Sequence, residues 1–268
     1  MKHKTVRIKT ASGKMKIIIL EERNNKEKVP GILWIHGGGY VTGMASMVYA
    51  SVGRLLAKTY GGVVLSPGYR LAPRYPYPAA LEDCYAALEF LFEHAEELGI
   101  DKEKIIIGGE SAGGGLAAAL CLYARDQGKI RVRMQIPLYP MIDCFDTSSS
   151  IDNHGRVWNT RRNHFGWKAY LKDLYGRKDI PVYASAAREE NYEGMPPCYT
   201  FVQDGEPFYQ ETLDYVEKLK RSGVKASVDV YHGDVHAFDL LTPWTKSVKA
   251  AREKLCKEYE KIIVEAPE

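Results

Sequence analysis

The chain has 268 residues, with 37 Lys and Arg against 34 Asp and Glu and a formal net charge of +3. With 45% hydrophobic and 26% charged residues, it has the make-up of a globular protein, which excludes disorder as a general description. The two signs are interspersed, with no basic tail or stripe, so no nucleic-acid partner is expected.

A chain of roughly this size is near the ceiling for one hydrophobic core, so residues 1–268 are read as a single domain. The five cysteines (Cys84, Cys121, Cys144, Cys198 and Cys256) are scattered and form no C-x-x-C pair. Neither a zinc site nor a redox dithiol is expected, and no metal or cofactor is implied. Scattered single cysteines fit a reducing cytosol. The basic opening, MKHKTVRIKT, precedes an apolar run of only Ile17, Ile18, Ile19 and Leu20. That run is too short for a signal-peptide core or a membrane span, so a cytoplasmic protein with no membrane partner is expected.

Residues 5–9 and 14–20 read as a hairpin turning at Ser12-Gly13, followed by a charged loop over 21–28. A buried strand over 31–35 runs into His36-Gly37-Gly38-Gly39-Tyr40. A helix is predicted over 48–60, a strand over 62–67 and a long amphipathic helix over 78–98. The alternation continues with a strand over 104–108, a helix over 112–127 and a strand over 131–138. Strands over 199–202 and 226–231 flank a helix over 208–222, and a helix over 244–264 closes the chain. Strands alternating with helices predict an α/β fold with a mostly parallel sheet, edged by the antiparallel hairpin.

Residues 141–197 break this rhythm. They carry no strand signal, and Trp158, Phe165, Trp167, Tyr170 and Tyr175 recur at roughly helical spacing. They read as a small helical cap over the C-terminal edge of the strands, whose aromatics line a cleft. The alternative is an ordinary crossover with an aromatic core face.

Gly109-Glu110-Ser111-Ala112-Gly113 has the form G-x-S-x-G between an apolar strand and a helix rich in small residues. That context is a nucleophile elbow, which holds a serine on a sharp strand-to-helix turn. The helix N-terminus there offers backbone N–H groups and a positive dipole end to a developing oxyanion. Three consecutive glycines after His36 let a second loop bring its amides close to a reacting group. Gly38, Gly39 and Ala112 are therefore the expected oxyanion-hole donors, and His36 itself is read as a brace for its loop.

These segments resemble the hormone-sensitive-lipase family of α/β-hydrolase esterases. Tyr69-Arg70-Leu71-Ala72-Pro73, Tyr139-Pro140 and Gly233-Asp234-Val235-His236-Ala237-Phe238 match as well, and the resemblance runs from about residue 31 to the C-terminus. It implies the α/β-hydrolase fold and a serine carboxylesterase with Ser111 as nucleophile and His236 as base. Ala237 stands where the family more often has glycine. His232 is the lesser candidate for the base, being on or beside the last strand. The triad acid belongs in the loop after strand 199–202, where Asp204 and Glu206 both stand. Aligning Pro207 with the family's D-P-[LF]-x-x-E pattern implies Glu206, and Asp204 stays open. Tyr40, Trp158, Phe165 and Trp167 are the expected substrate-lining residues.

Family members commonly carry a helical N-terminal extension that completes the cap. Here about thirty residues precede strand 31–35 and read as a hairpin. That implies an open site and short acyl groups. The expected partner is a small-molecule ester. An amidase or arylformamidase on the same scaffold shares the tetrahedral intermediate and stays open, whereas a small-molecule receptor of this fold would lack the histidine at 236. A homodimer through the edge strand or the C-terminal helix is left open.

Overall fold

The computed structural model describes residues 1–25 and 27–264. Among these, eight strands form one sheet: β1 (Lys2–Thr10), β2 (Gly13–Glu22), β3 (Val29–Ile35), β4 (Gly62–Pro67), β5 (Ile100–Glu110), β6 (Met134–Leu138), β7 (Cys198–Gln203) and β8 (Ala226–Tyr231). Their spatial order is β1-β2-β4-β3-β5-β6-β7-β8. β1 and β2 pair antiparallel, β2 pairs antiparallel with β4, and every pair from β4 to β8 is parallel. This is the mostly parallel α/β arrangement expected from the alternation of elements, with the hairpin at its antiparallel edge, and it agrees with the α/β-hydrolase fold that the resemblance implies.

The helices are α1 (Val52–Tyr60), α2 (Ala79–Glu93), α3 (Ala112–Gln127), α4 (Thr160–Leu171), α5 (Tyr209–Arg221), α6 (Phe238–Leu241) and α7 (Lys246–Val264). They cover both faces of the sheet, which is why β3, β4 and β6 are apolar without alternation. Successive side chains still point to opposite faces. Ile105 and Ile107 join the layer built with α2, α3 and α5, whereas Ile106 joins the layer built with α1 and α7.

The helix predicted over 48–60 is two elements, a 3-10 helix Ala45–Ala50 and α1. The break falls at Ser51, whose side chain accepts from Arg54 N and caps the new helix. Strand β5 begins at Ile100, four residues before the predicted start, because the polar Asp101-Lys102-Glu103-Lys104 run conceals it. Between β6 and β7 the chain leaves the sheet through α4 and two short 3-10 helices, Lys172–Leu174 and Ala186–Arg188. Among the described residues, no helix is long and apolar enough to cross a membrane.

Candidate active site

Ser111 occupies the turn between β5 and α3 with φ +57° and ψ −122°. For a residue with a Cβ that conformation is strained, and it persists only where the surroundings over-determine it. Here both backbone groups are tied to the end of β6. Ser111 N donates to Leu138 O and Met141 N donates to Ser111 O, each at 3.0 Å. The turn also runs against β3 so closely that a Cβ at Gly113 would stand 2.5 Å from His36 O.

The loop after β8 carries His236 back over the sheet edge. It is stitched to the loop after β7 by Val235 N donating to Gln203 Oε1 and Gly205 N donating to Gly233 O, both at 2.8 Å. His236 Nε2 lies 2.8 Å from Ser111 Oγ, and His236 Nδ1 lies 2.5 Å from Glu206 Oε2. Glu206 is fully buried, and its other oxygen accepts from Gln203 N at 2.9 Å. An ionised carboxylate only accepts hydrogen bonds, so the imidazole proton sits on Nδ1 and Nε2 is free to accept from the serine hydroxyl. The three side chains reach one point from the C-terminal ends of three parallel strands, β5, β7 and β8.

Asp204 lies elsewhere. Its Oδ2 is 3.0 Å from Nδ1 of His232, an exposed side chain, and its Oδ1 accepts from Gly233 N. The structure therefore brings Glu206, and not Asp204, to His236.

The glycine loop after β3 faces the serine. Gly38 and Gly39 have φ of +123° and +59°, conformations open to glycine at little cost. Val41 N and Thr42 N both close onto Gly38 O at 3.0 Å. Among the described residues, the Gly38 and Gly39 N–H groups meet no backbone acceptor, and Ala112 N–H is one of the unpaired donors that begin any helix. His36 braces the loop: its ring stacks on Tyr69 at 4.2 Å, its Nδ1–H donates to Gly37 O at 2.8 Å, and its carbonyl accepts from Tyr69 Oη at 2.9 Å. Burial lowers its pKa to about 4, so the ring is neutral.

Of the four aromatics expected to line the cleft, Trp158 stands beside His236, with ring centroids 6.4 Å apart. Tyr40 and Trp167 are core residues. Tyr40 stacks on Tyr170 at 4.1 Å and donates to Met141 O, while Trp167 is 1% exposed and packs 5.1 Å from Tyr40. Phe165 is 60% exposed on α4. Helical spacing marks which side of α4 is apolar, but not whether that side meets a cleft or the floor beneath the glycine loop.

Four residues at the site were given no role of their own in the sequence reading: Phe208, Tyr139, Asp239 and Glu211. Phe208 and Tyr139 set ring edges against His236 at 4.9 and 5.1 Å. Tyr139 Oη donates to Asp239 Oδ1. Phe208 lies in the run that carries Glu206, the expected acid, and was within reach; the Tyr139–Asp239 pair spans 100 residues and has no local signal. Glu211, at the end of the same run, is buried and accepts from Ile142 N and Asp143 N, anchoring the chain where it leaves β6. Among the described residues, no group of three or more His, Cys, Asp and Glu could hold a metal ion.

A family model described as alpha/beta hydrolase fold matches residues 32–240. The chain belongs to the alpha/beta hydrolase family of esterases. Residues of this hydrolase align at 33% identity with an arylesterase of Saccharolobus solfataricus, over 77% of this chain and 67% of the relative. The esterase LipI of Mycobacterium tuberculosis is 31% identical over 80% of this chain and 67% of the relative. Among solved structures, a bacterial heroin esterase superposes with a TM-score of 0.92 at 30% identity, covering 98% of this chain and 85% of that one. An esterase of the archaeon Pyrobaculum calidifontis gives 0.89 at 28% identity, covering 98% and 87%.

Proposed function

We propose that this hydrolase is a serine carboxylesterase acting on short-chain acyl esters. What supports the reading most is the continuous hydrogen-bonded run Ser111–His236–Glu206, at 2.8 and 2.5 Å, opposite the amides of the glycine loop. His236 Nε2 takes the Ser111 proton as Oγ adds to the ester carbonyl. The Gly38, Gly39 and Ala112 N–H groups hold the oxyanion, each worth roughly 3 kcal/mol of barrier. Glu206 fixes the tautomer of His236 and stabilises the imidazolium. His236 then protonates the leaving alcohol, and the acyl group remains on Oγ. Water, deprotonated by the same nitrogen, releases the acid and restores the serine.

The short-chain preference is supported by a cap drawn from one segment: β1 and β2 lie in the sheet and contribute no helix over the site. α4 packs directly on the glycine loop, where a Cβ at Gly166 would stand 2.8 Å from Gly39 O. The five cysteines are all free, which supports a reducing compartment such as the cytosol.

Hydrolysis of p-nitrophenyl esters from acetate to decanoate, with Ser111→Ala beside the wild type, tests the reading. Turnover is expected to peak at acetate to butyrate and to vanish in the variant. A peak at decanoate would overturn the short-chain preference. Turnover undiminished in Ser111→Ala would overturn the mechanism, and no ester turnover in the wild type would turn attention to amide substrates.

A further inference from the structure

The position of Trp158 bears on what the ester carries besides its acyl group. Its six-membered ring lies on Gly39: a Cβ there would stand 2.8 Å from Trp158 Cζ2 and 3.1 Å from Cζ3. On the other side, the indole centroid is 6.4 Å from the His236 ring and 6.5 Å from that of Phe208. Phe208 in turn sets its edge against His236. The indole is held from behind. Its Nε1 faces the Oδ1 of the buried Asn163 at 3.4 Å, and a Cβ at Gly166 would be 3.5 Å from Trp158 Cζ2. The indole is itself half-buried, in van der Waals reach of the glycine loop.

The two landmarks it spans have fixed meanings in acyl transfer. The oxyanion points at the glycine-loop amides. The leaving oxygen must lie on the His236 side of the carbonyl carbon, because Nε2 hands it a proton. A wall joining Gly39 to His236 and Phe208 therefore stands against the leaving group, and the acyl chain departs on the other side. We propose that Trp158 sizes the alcohol side of the cleft, so that the enzyme takes esters of small or flat alcohols and rejects bulky ones. A flat aryl alcohol can lie along the indole face, whereas a branched one meets it. This inference rests on the esterase reading above.

The test uses two substrate series with the full chain. In the first the acyl group is fixed as acetate and the alcohol grows from ethanol through phenol to 4-tert-butylphenol and a branched tertiary alcohol. In the second the alcohol is fixed as p-nitrophenol and the acyl chain grows. Trp158→Ala is expected to raise kcat/KM for the bulky acetates at least tenfold relative to ethyl acetate, and to move the acyl profile less than threefold. Trp158→Phe keeps an aromatic wall of smaller reach and covers the case in which the alanine variant fails to fold. It is expected to shift the same ratio in the same direction by a smaller factor. An unchanged alcohol ratio in a folded, active variant would overturn the proposal, as would a shift confined to the acyl series. In both of those outcomes the esterase reading stands. No ester turnover in the wild type would overturn both, and failure of a fluorophosphonate to label Ser111 would mark the fault as lying in the nucleophile.

Discussion

Tyr139 Oη donates to Asp239 Oδ1 across 2.6 Å, and the two residues bracket His236. Tyr139 follows β6, whose end also holds both backbone groups of Ser111. Asp239 stands three residues beyond His236, in the single turn of α6. One short segment, 138–141, thus fixes Ser111 through its backbone and the His236 loop through a side chain. Arg252 adds a second tie by donating to Asp239 O at 2.8 Å.

Tyr139→Phe removes the hydroxyl and leaves a buried aspartate without its donor. Stability is expected to drop by about 1–3 kcal/mol in urea unfolding. As a positioning residue, Tyr139 should affect kcat more than KM. A fall of about tenfold in kcat on p-nitrophenyl acetate is expected from a small displacement of the base. Asp239→Asn, which keeps an acceptor for Tyr139, should retain kcat within roughly threefold. Equal loss in KM and kcat, or none in either, would count against the strut.

Glu206 and Asp204 make opposite predictions. Glu206→Gln preserves shape but removes the charge behind Nδ1, and kcat should fall by about 10³–10⁴ with little change in KM. Asp204→Asn touches a pair on the outer side of the loop and should leave kcat within about twofold. Steady-state kinetics on p-nitrophenyl acetate at pH 8 decides between the two acids.

His36 makes stability fall in acid. Burial lowers its pKa from 6.5 to about 4, and its Nε2 has no hydrogen-bond partner to receive a proton's charge. Between these values the unfolded chain binds more protons than the folded one. The contribution of His36 is therefore complete above about pH 6.5 and is lost as pH falls toward 4. Between pH 7 and pH 5 the loss should reach about 2 kcal/mol. Urea unfolding at the two pH values measures it, and His36→Phe, which keeps the stack on Tyr69, should flatten that part of the slope.

Ala237 adopts φ +59° and ψ +39° beside His236. A residue with a Cβ is strained there by about 1 kcal/mol, and glycine is not. Ala237→Gly should leave stability unchanged or raise it by up to about 1 kcal/mol, the gain being trimmed by the freer unfolded chain. Thermal unfolding and p-nitrophenyl acetate turnover, the latter within about twofold of wild type, check this.

Ser111, His236 and the glycine loop were legible because their chemistry is local. Each needs a particular residue at the end of a strand, and the apolar runs announce those strands. Glu206 was legible through Pro207, a neighbour in sequence. Tyr139–Asp239 was not, because only the assembled sheet brings positions 100 residues apart together. Tyr40 and Trp167 were read as cleft residues because an aromatic against the glycine loop has the same spacing whether it lies above that loop or below it. The difference is decided by Gly166, which lets α4 settle close enough to bury both.

The hydrogen bond from Ser111 to His236 spans 125 residues, and His236 follows the strand at the far edge of the sheet. A chain emerging N-terminal end first can therefore complete β5 and its serine long before His236 exists. On the proposed mechanism, Ser111 has no general base until β8 joins that edge, and it behaves as an ordinary hydroxyl. On the same mechanism, a molecule whose β8 edge has frayed loses the partner that would activate Ser111, and its serine is no hazard to the partly folded chains around it.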